Sequence, residues 1–217
     1  MKVNRDMVLR AGLKLLNEVG LEKLTLRLLG RGLNIQAATL YWHFKSKEEL
    51  IDAMATMVLA DGAAHLVPPK DSPDWSVWAA SFGTGLRKTF LTYRDGARMV
   101  AGTRLTDTTY MKTAERVAAK VIESGFSVRQ TVVLLSTIYN YTLSFAMEEQ
   151  AVFPRPGERS VQGDVKKRNA KLDPAELPLH RQAGAILFDQ FDRRYKEGLD
   201  LILEGARRSQ LRKAARR

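Results

Sequence analysis

Apolar positions recur at helical spacing along most of the chain, and no segment reads as a convincing strand. In RDMVLRAGLKLLNEVG, Met7, Val8, Ala11, Leu15 and Leu16 fall near i, i+1, i+4 and i+8, an amphipathic helix pattern. Gly20 follows the last turn and suits a helix C-terminus. Thr25 is placed to cap a second helix, LRLLGRGL, in which Leu26, Leu29 and Leu33 form one stripe. Asn34 tolerates the left-handed backbone of a sharp inter-helix turn. A short third helix is predicted over about 36–43. SKEE then reads as a capping box, Ser46 at N-cap and Glu49 at N3, opening a long fourth helix to about Ala64.

LVPPKDSPD, with three prolines, stops that helix. Further helical segments are predicted at about 75–92, 95–101, 107–124 and 128–150. The stretch 151–179 is rich in proline and charge with little apolar periodicity, and is expected to be a long mobile loop with room for one short helix. One last long helix is expected from about His180 to Arg208. The fold class is therefore all-α.

The N-terminal block meets the requirements of a helix-turn-helix. Gly30 permits close packing of the second helix, and Leu40 and Phe44, at i and i+4, can pin the third helix inward. Ala38, Tyr41 and Trp42 then fall on another side, flanked by Thr39 and His43. Such a helix either reads nucleic acid or packs against protein, and periodicity does not separate the two.

Charge changes the picture. The formal net charge of the 217 residues is +11, with a pI near 10.0, which favours polyanionic partners. The final residues carry Arg207, Arg208, Arg212, Lys213, Arg216 and Arg217 without an acid. They suit either a solvated helix end or a second, nonspecific DNA contact. The absence of cysteine excludes disulfides and thiolate chemistry and is compatible with a reducing cytoplasm, the expected location. No signal peptide, transmembrane helix or membrane partner is expected. His43, His65 and His180 are scattered, so no catalytic residue, metal site or cofactor is expected.

The run LNEVGLEKLTLRLLGRGLNIQAATLYWHFKSKEELIDAM resembles the DNA-binding region of the TetR family of repressors, in particular its tetracycline-repressor branch. YRDGARMVAGTR, SGFS and TLSFAMEEQ extend the resemblance to about residue 150. It implies a DNA-binding domain over 1–48, a connecting helix over 49–66, a ligand-binding and dimerisation domain over 67–208, and a basic tail over 209–217. It also implies a homodimeric repressor that binds a palindromic double-stranded operator and is released by a small-molecule effector, ligand binding moving the sixth helix and swinging the fourth. An activator, a ligand-independent regulator and a nonspecific basic DNA-binding protein are the alternatives.

Carried over residue by residue, the resemblance implies DNA contacts from Arg27, Gln36, Ala37, Ala38, Thr39, Tyr41, Trp42, His43 and Lys47. Arg27 falls where the branch reads guanine, Tyr41 offers a hydroxyl to phosphate and a ring to a thymine methyl, and His43 and Lys47 fall at phosphate-contacting positions. Trp42 either rims that surface or wedges against the first helix. The branch has Gln-Pro where this chain has Ala37 and Ala38, so its operator is expected to differ.

The branch holds a magnesium–tetracycline chelate, and here the chain departs from it. Val100 stands for the metal-ligating histidine, Ala63 for the fourth-helix histidine, Phe82 for an asparagine, Leu86 for a phenylalanine and Arg116 for a glutamine. Thr103 is retained, Glu148 falls at or beside the acidic position, and His65 lies near enough in sequence to be weighed as a substitute imidazole. Valine cannot rebuild a hard-cation site. The expected effector is instead apolar or polycyclic, with Phe82, Leu86, Val100, Tyr139 and Thr142 as pocket residues and Thr103 and Arg116 as polar anchors. An arginine there would suit a carboxylate, phenolate or carbonyl-rich ligand.

Overall fold

Helices account for every regular element among the described residues of the computed structural model, which are 4–155 and 157–214. The side chains of Ala37 and Gln162 and of residues 211–214 lie outside that description, as do residues 215–217. The expectations for Ala37 as a base contact and for Arg212, Lys213, Arg216 and Arg217 in the basic tail therefore fall outside it.

The order is α1 (Arg5–Lys23), α2 (Leu26–Gly32), α3 (Ala37–Tyr41), α4 (Lys47–Asp61), a 3-10 turn (Ala63–Leu66), α5 (Trp75–Phe90), α6 (Gly96–Val100), α7 (Thr109–Glu123), α8 (Val128–Val152), a 3-10 turn (Val161–Gly163), α9 (Val165–Asn169), α10 (Pro178–Asp189) and α11 (Phe191–Ala214).

Local chemistry explains the boundaries. Asn4 Oδ1 accepts from Met7 N at 2.8 Å and caps α1, and Thr25 Oγ1 accepts from Leu28 N at 3.1 Å at the start of α2. Asn34 adopts φ +54° in the turn before α3. Ser46 Oγ accepts from Glu49 N at 3.2 Å, but the Glu49 carboxylate accepts from Lys45 N at 2.8 Å rather than from Ser46 N. The predicted box is thus closed one residue upstream. Ser127 and Gln130 form the reciprocal box, at the head of α8.

α1, α2, α3 and the turn after it bury Val8, Leu9, Leu13, Leu16, Leu26, Leu29, Leu40 and Phe44. Leu9 and Leu13 belong to this stripe, whereas Met7, Ala11 and Leu15 are only half-buried. Each such side chain contributes about 1.5–3 kcal/mol relative to exposure. In the larger bundle, α5 packs between α8 and the turn Ala63–Leu66. The approach is so close that a Cβ on Gly85 would stand 2.1 Å from the His65 carbonyl oxygen, which only glycine allows.

Three expectations about the elements are corrected. The segment 151–179 contains the turn Val161–Gly163, α9 and the start of α10. It is tied down by Arg159, whose guanidinium donates to Gly163 O at 2.7 Å, and by Arg168, which donates to His180 O at 2.8 Å. The single last helix is two, broken at Gln190 between α10 and α11. α4 ends at Asp61, short of Ala64, because a 3-10 turn follows.

Candidate functional site

The outer face of the three-helix unit carries unpaired chemistry. Trp42 is 90% exposed and Tyr41 55%, although aromatic rings normally seek cover. Gln36 at the N-cap of α3 and Ala38 and Thr39 on it are exposed, as is Arg27 on α2. Arg27 makes no ion pair or side-chain hydrogen bond among the described residues. Leu40 and Phe44 are fully buried behind this face, and the Arg5 guanidinium lies 4.8 Å from the Phe44 ring centroid. Trp42 is therefore not wedged against α1.

Two residues of the set stand apart. His43 is half-buried at the edge. Lys47 is half-buried and its ammonium donates to Leu21 O at 3.0 Å and Glu22 O at 3.3 Å. It thereby binds the C-terminal carbonyls of α1, a use that the sequence did not disclose.

In the larger bundle, α7 and α8 border an open cavity of about 490 Å³ with Phe82, Val100, Thr103, Leu105, Tyr110 and Tyr139 among its walls. Of the expected pocket residues, Phe82, Val100, Thr103 and Tyr139 line it. Leu86 is fully buried in the adjoining core and does not reach the cavity. Thr142 is buried too, its hydroxyl donating to Ile138 O at 2.7 Å and lying 2.8 Å from Tyr195 Oη. Arg116 is exposed on α7 and absent from the wall, so it cannot anchor a ligand there. His65 is also exposed, away from the cavity. Ala63 is buried under the turn, and Glu148 is exposed, 4.0 Å from Arg194.

Sequence reasoning missed Tyr110, Leu105, Leu135 and Glu115, all on the wall. Tyr110 was findable: with Ala114, Val117 and Val121 it makes an i, i+4, i+7, i+11 stripe on α7. Burial, and secondarily the nearby Tyr139, pushes the Tyr110 phenol up, and burial does the same to Tyr139. Both phenols therefore stay protonated near neutral pH.

Two family models cover most of the chain. "Bacterial regulatory proteins, tetR family" matches residues 8–54, and "Tetracyclin repressor-like, C-terminal domain" matches residues 67–209. The chain belongs to the tetR family. It is a DNA-binding transcriptional regulator of that family, and the exposed α3 face lies within the first match. The tetracycline repressor protein class A from transposon 1721 of Escherichia coli is 38% identical over 97% of this chain and 93% of its own length. The crystal structure of a possible TetR family transcriptional regulator from Streptomyces coelicolor A3(2) superposes with a TM-score of 0.83, at 30% identity, over 95% of this chain and 100% of that one. TetR class A in complex with 5a,6-anhydrotetracycline and magnesium gives a TM-score of 0.67 at 32% identity, over 96% and 99% of the two chains.

In this tetR-family regulator the cavity is joined to the DNA-binding unit through α4. The loop that follows α6 contributes Thr103 and Leu105 to the cavity wall. Between and beside them, Arg104 N donates to Asp52 Oδ1 at 3.1 Å and Thr106 N donates to Thr56 Oγ1 at 3.0 Å, both on α4. The far end of α4 is paired to α1 by the Asp61–Arg10 ion pair. Among the described residues no helix is long and apolar enough to cross a membrane, and no group of three or more His, Cys, Asp or Glu side chains is placed to hold a metal.

Proposed function

We propose that this protein is a repressor whose α3 face reads a palindromic operator and whose cavity takes a small apolar or polycyclic effector that releases it. The observation that carries the reading is the pairing of an exposed Tyr41–Trp42 face with a cavity loop hydrogen-bonded directly to α4. Arg27 reads a base edge, Gln36, Thr39 and Ala38 contribute the rest of the specificity, and Tyr41, Trp42 and His43 seat the backbone. Lys47 acts chiefly by fixing α1 against α4.

A second copy of the chain completes the regulator. Val128, Val132 and Val133 on α8 and Leu201 on α11 are exposed in the single chain, an apolar face that suits a two-fold interface. Two heads about one helical turn apart then match a palindrome. A ligand that shifts the Thr103–Thr106 loop moves α4, and with it the separation of the heads. We read residues 1–48 as the DNA-binding unit, 49–66 as its connection and 67–208 as the effector and dimer domain. The protein acts by binding, without catalysis.

Magnesium–tetracycline does not fit this cavity. Its one carboxylate, Glu115, sits on an exposed stretch of α7, and Val100 offers no lone pair at its base. Mg²⁺ requires oxygen ligands in near-octahedral array.

The deciding experiment compares binding of the purified protein to the DNA flanking its own gene and to scrambled DNA at physiological salt. A preference of about 10³ or more supports a sequence-specific repressor. Equal affinity with a steep salt dependence favours a nonspecific basic binder, and transcription that rises with bound protein favours an activator.

A further inference from the structure

The hydroxyls around the cavity fall into two classes. Thr103 Oγ1 donates to Met99 O at 2.7 Å, Thr131 Oγ1 to Ser127 O at 3.1 Å and Ser136 Oγ to Val133 O at 3.1 Å. Each spends its one proton on its own helix or turn and has only acceptor capacity left for a guest. The phenolic hydroxyls of Tyr110 and Tyr139 make no hydrogen bond among the described residues, and neither is sealed off from the cavity space. Both keep their full capacity to donate and accept on the pocket side, so these two are the hydroxyls a ligand can engage without breaking a bond within the protein.

Charge narrows the guest further. Among the described lining residues there is no lysine, arginine or histidine, and the only charged side chain is Glu115, on the exposed side of α7. Arg116, the next residue, is exposed and outside the wall. A carboxylate or sulfonate entering this cavity would give up part of its hydration with no cation on the described wall to meet it, and would approach Glu115. A neutral molecule escapes that penalty, and an ammonium gains from the same carboxylate. The remaining walls, Leu59, Phe82, Val100, Leu105 and Leu135, are apolar and suit a flat ring system.

We propose that the effector is a non-anionic aromatic molecule, neutral or singly cationic, whose polar edge hydrogen-bonds the Tyr110 and Tyr139 hydroxyls and whose amine, where it has one, faces Glu115. The inference rests on the reading of this cavity as the effector site. It replaces the arginine-anchored, anion-compatible pocket that the sequence suggested.

Three planar tricyclic fluorophores of similar size test it on the full chain without DNA: acridone, neutral with a carbonyl; 9-aminoacridine, a cation; and anthracene-9-carboxylate, an anion. Acridone and 9-aminoacridine are expected to bind at least about tenfold more tightly than the carboxylate. Replacing both phenols, Tyr110→Phe with Tyr139→Phe, should weaken acridone about fivefold to tenfold without lowering the unfolding temperature. Glu115→Gln should weaken 9-aminoacridine alone, by about twofold to fivefold because the carboxylate is exposed. Ala114→Phe, which fills the cavity, should abolish binding of all three while the melting transition remains cooperative.

Equal or tighter binding of the carboxylate overturns the proposal. So does a failure of all three probes to bind, or binding that survives Ala114→Phe. Release of bound promoter DNA is read separately. Probes that bind as expected but never displace the DNA would sink the effector-site reading and leave the cavity chemistry standing. DNA released only by the carboxylate would do the reverse.

Discussion

Asp95 accepts the backbone N–H of Leu21 at 2.9 Å, joining the end of α1 to the start of α6 across 74 positions of sequence. Positive-φ backbone flanks the bond on both sides: Asp95 itself has φ +56°, and Gly20, the residue before Leu21, has φ +79°. Alongside, Arg94 N donates to Asn17 Oδ1 at 2.8 Å, and Arg98 pairs with Glu22 at 3.2 Å. The DNA-binding unit is thus held to the larger bundle at a second place besides α4.

This junction predicts a stability loss from small changes. Gly20→Ala would place a Cβ 3.1 Å from Asp95 Oδ2 on a backbone that L-residues avoid, at a cost of roughly 1–3 kcal/mol. Asp95→Ala removes an acceptor from a half-buried N–H and should cost about 1 kcal/mol. Denaturant midpoints check both. Unchanged midpoints would mean that the junction contributes nothing to folding.

Arg27 and Lys47 should separate cleanly. Arg27 is exposed and has no ion-pair partner among the described residues, so Arg27→Ala should leave stability within about 0.5 kcal/mol and remove about 1–3 kcal/mol of preference for promoter over scrambled DNA. Lys47→Ala should lower the melting temperature, because the carbonyls of Leu21 and Glu22 lose their donor. Anisotropy titrations beside thermal melts read both effects. An equal loss of specific and nonspecific binding for Arg27→Ala would confine that residue to phosphate.

Thr56 offers a test of communication. Its hydroxyl accepts from Thr106 N at 3.0 Å and donates to Asp52 O at 2.8 Å. Thr56→Val keeps the shape and deletes both bonds. The variant should bind promoter DNA and the cavity probes nearly as before, while the ligand concentration needed for DNA release rises several-fold. Unaltered release would place the coupling elsewhere.

Alkaline pH should unfold the protein through its buried phenols. Burial raises the Tyr195 pKa from 10.0 to about 12, an effect only partly offset by its hydrogen bond with Thr142. The folded state then holds a proton that the unfolded state gives up near pH 10. Stability is fully present below pH 10 and falls as pH rises toward 12, by an amount on the order of 2–3 kcal/mol from this group. Tyrosinate absorbance and helical signal should therefore change together at the upper end. A full tyrosine titration completed near pH 10 with the fold intact would contradict it.

Much of this protein is written locally. Helical periodicity gave the elements to within a few residues, since one face of each must leave water. Thr25, Asn34 and Ser46 acted as predicted because capping and left-handed turns depend on near neighbours. The break at Gln190 escaped notice because apolar spacing continues through it, from Phe188 to Phe191. The face of α3 was partly legible for the same local reason: Leu40 and Phe44 share one side and Tyr41 falls on another, whereas the exposure of Trp42 was left open by spacing and decided by the packing. What only the tertiary structure decided is which side chains share a space. Arg116 and Tyr110 are both on α7, yet one faces water and the other the cavity. Lys47 is spent on α1 rather than left free, and Thr142 on Tyr195. Partners 26 or 53 residues apart are set by the packing of whole helices, which no window of sequence contains.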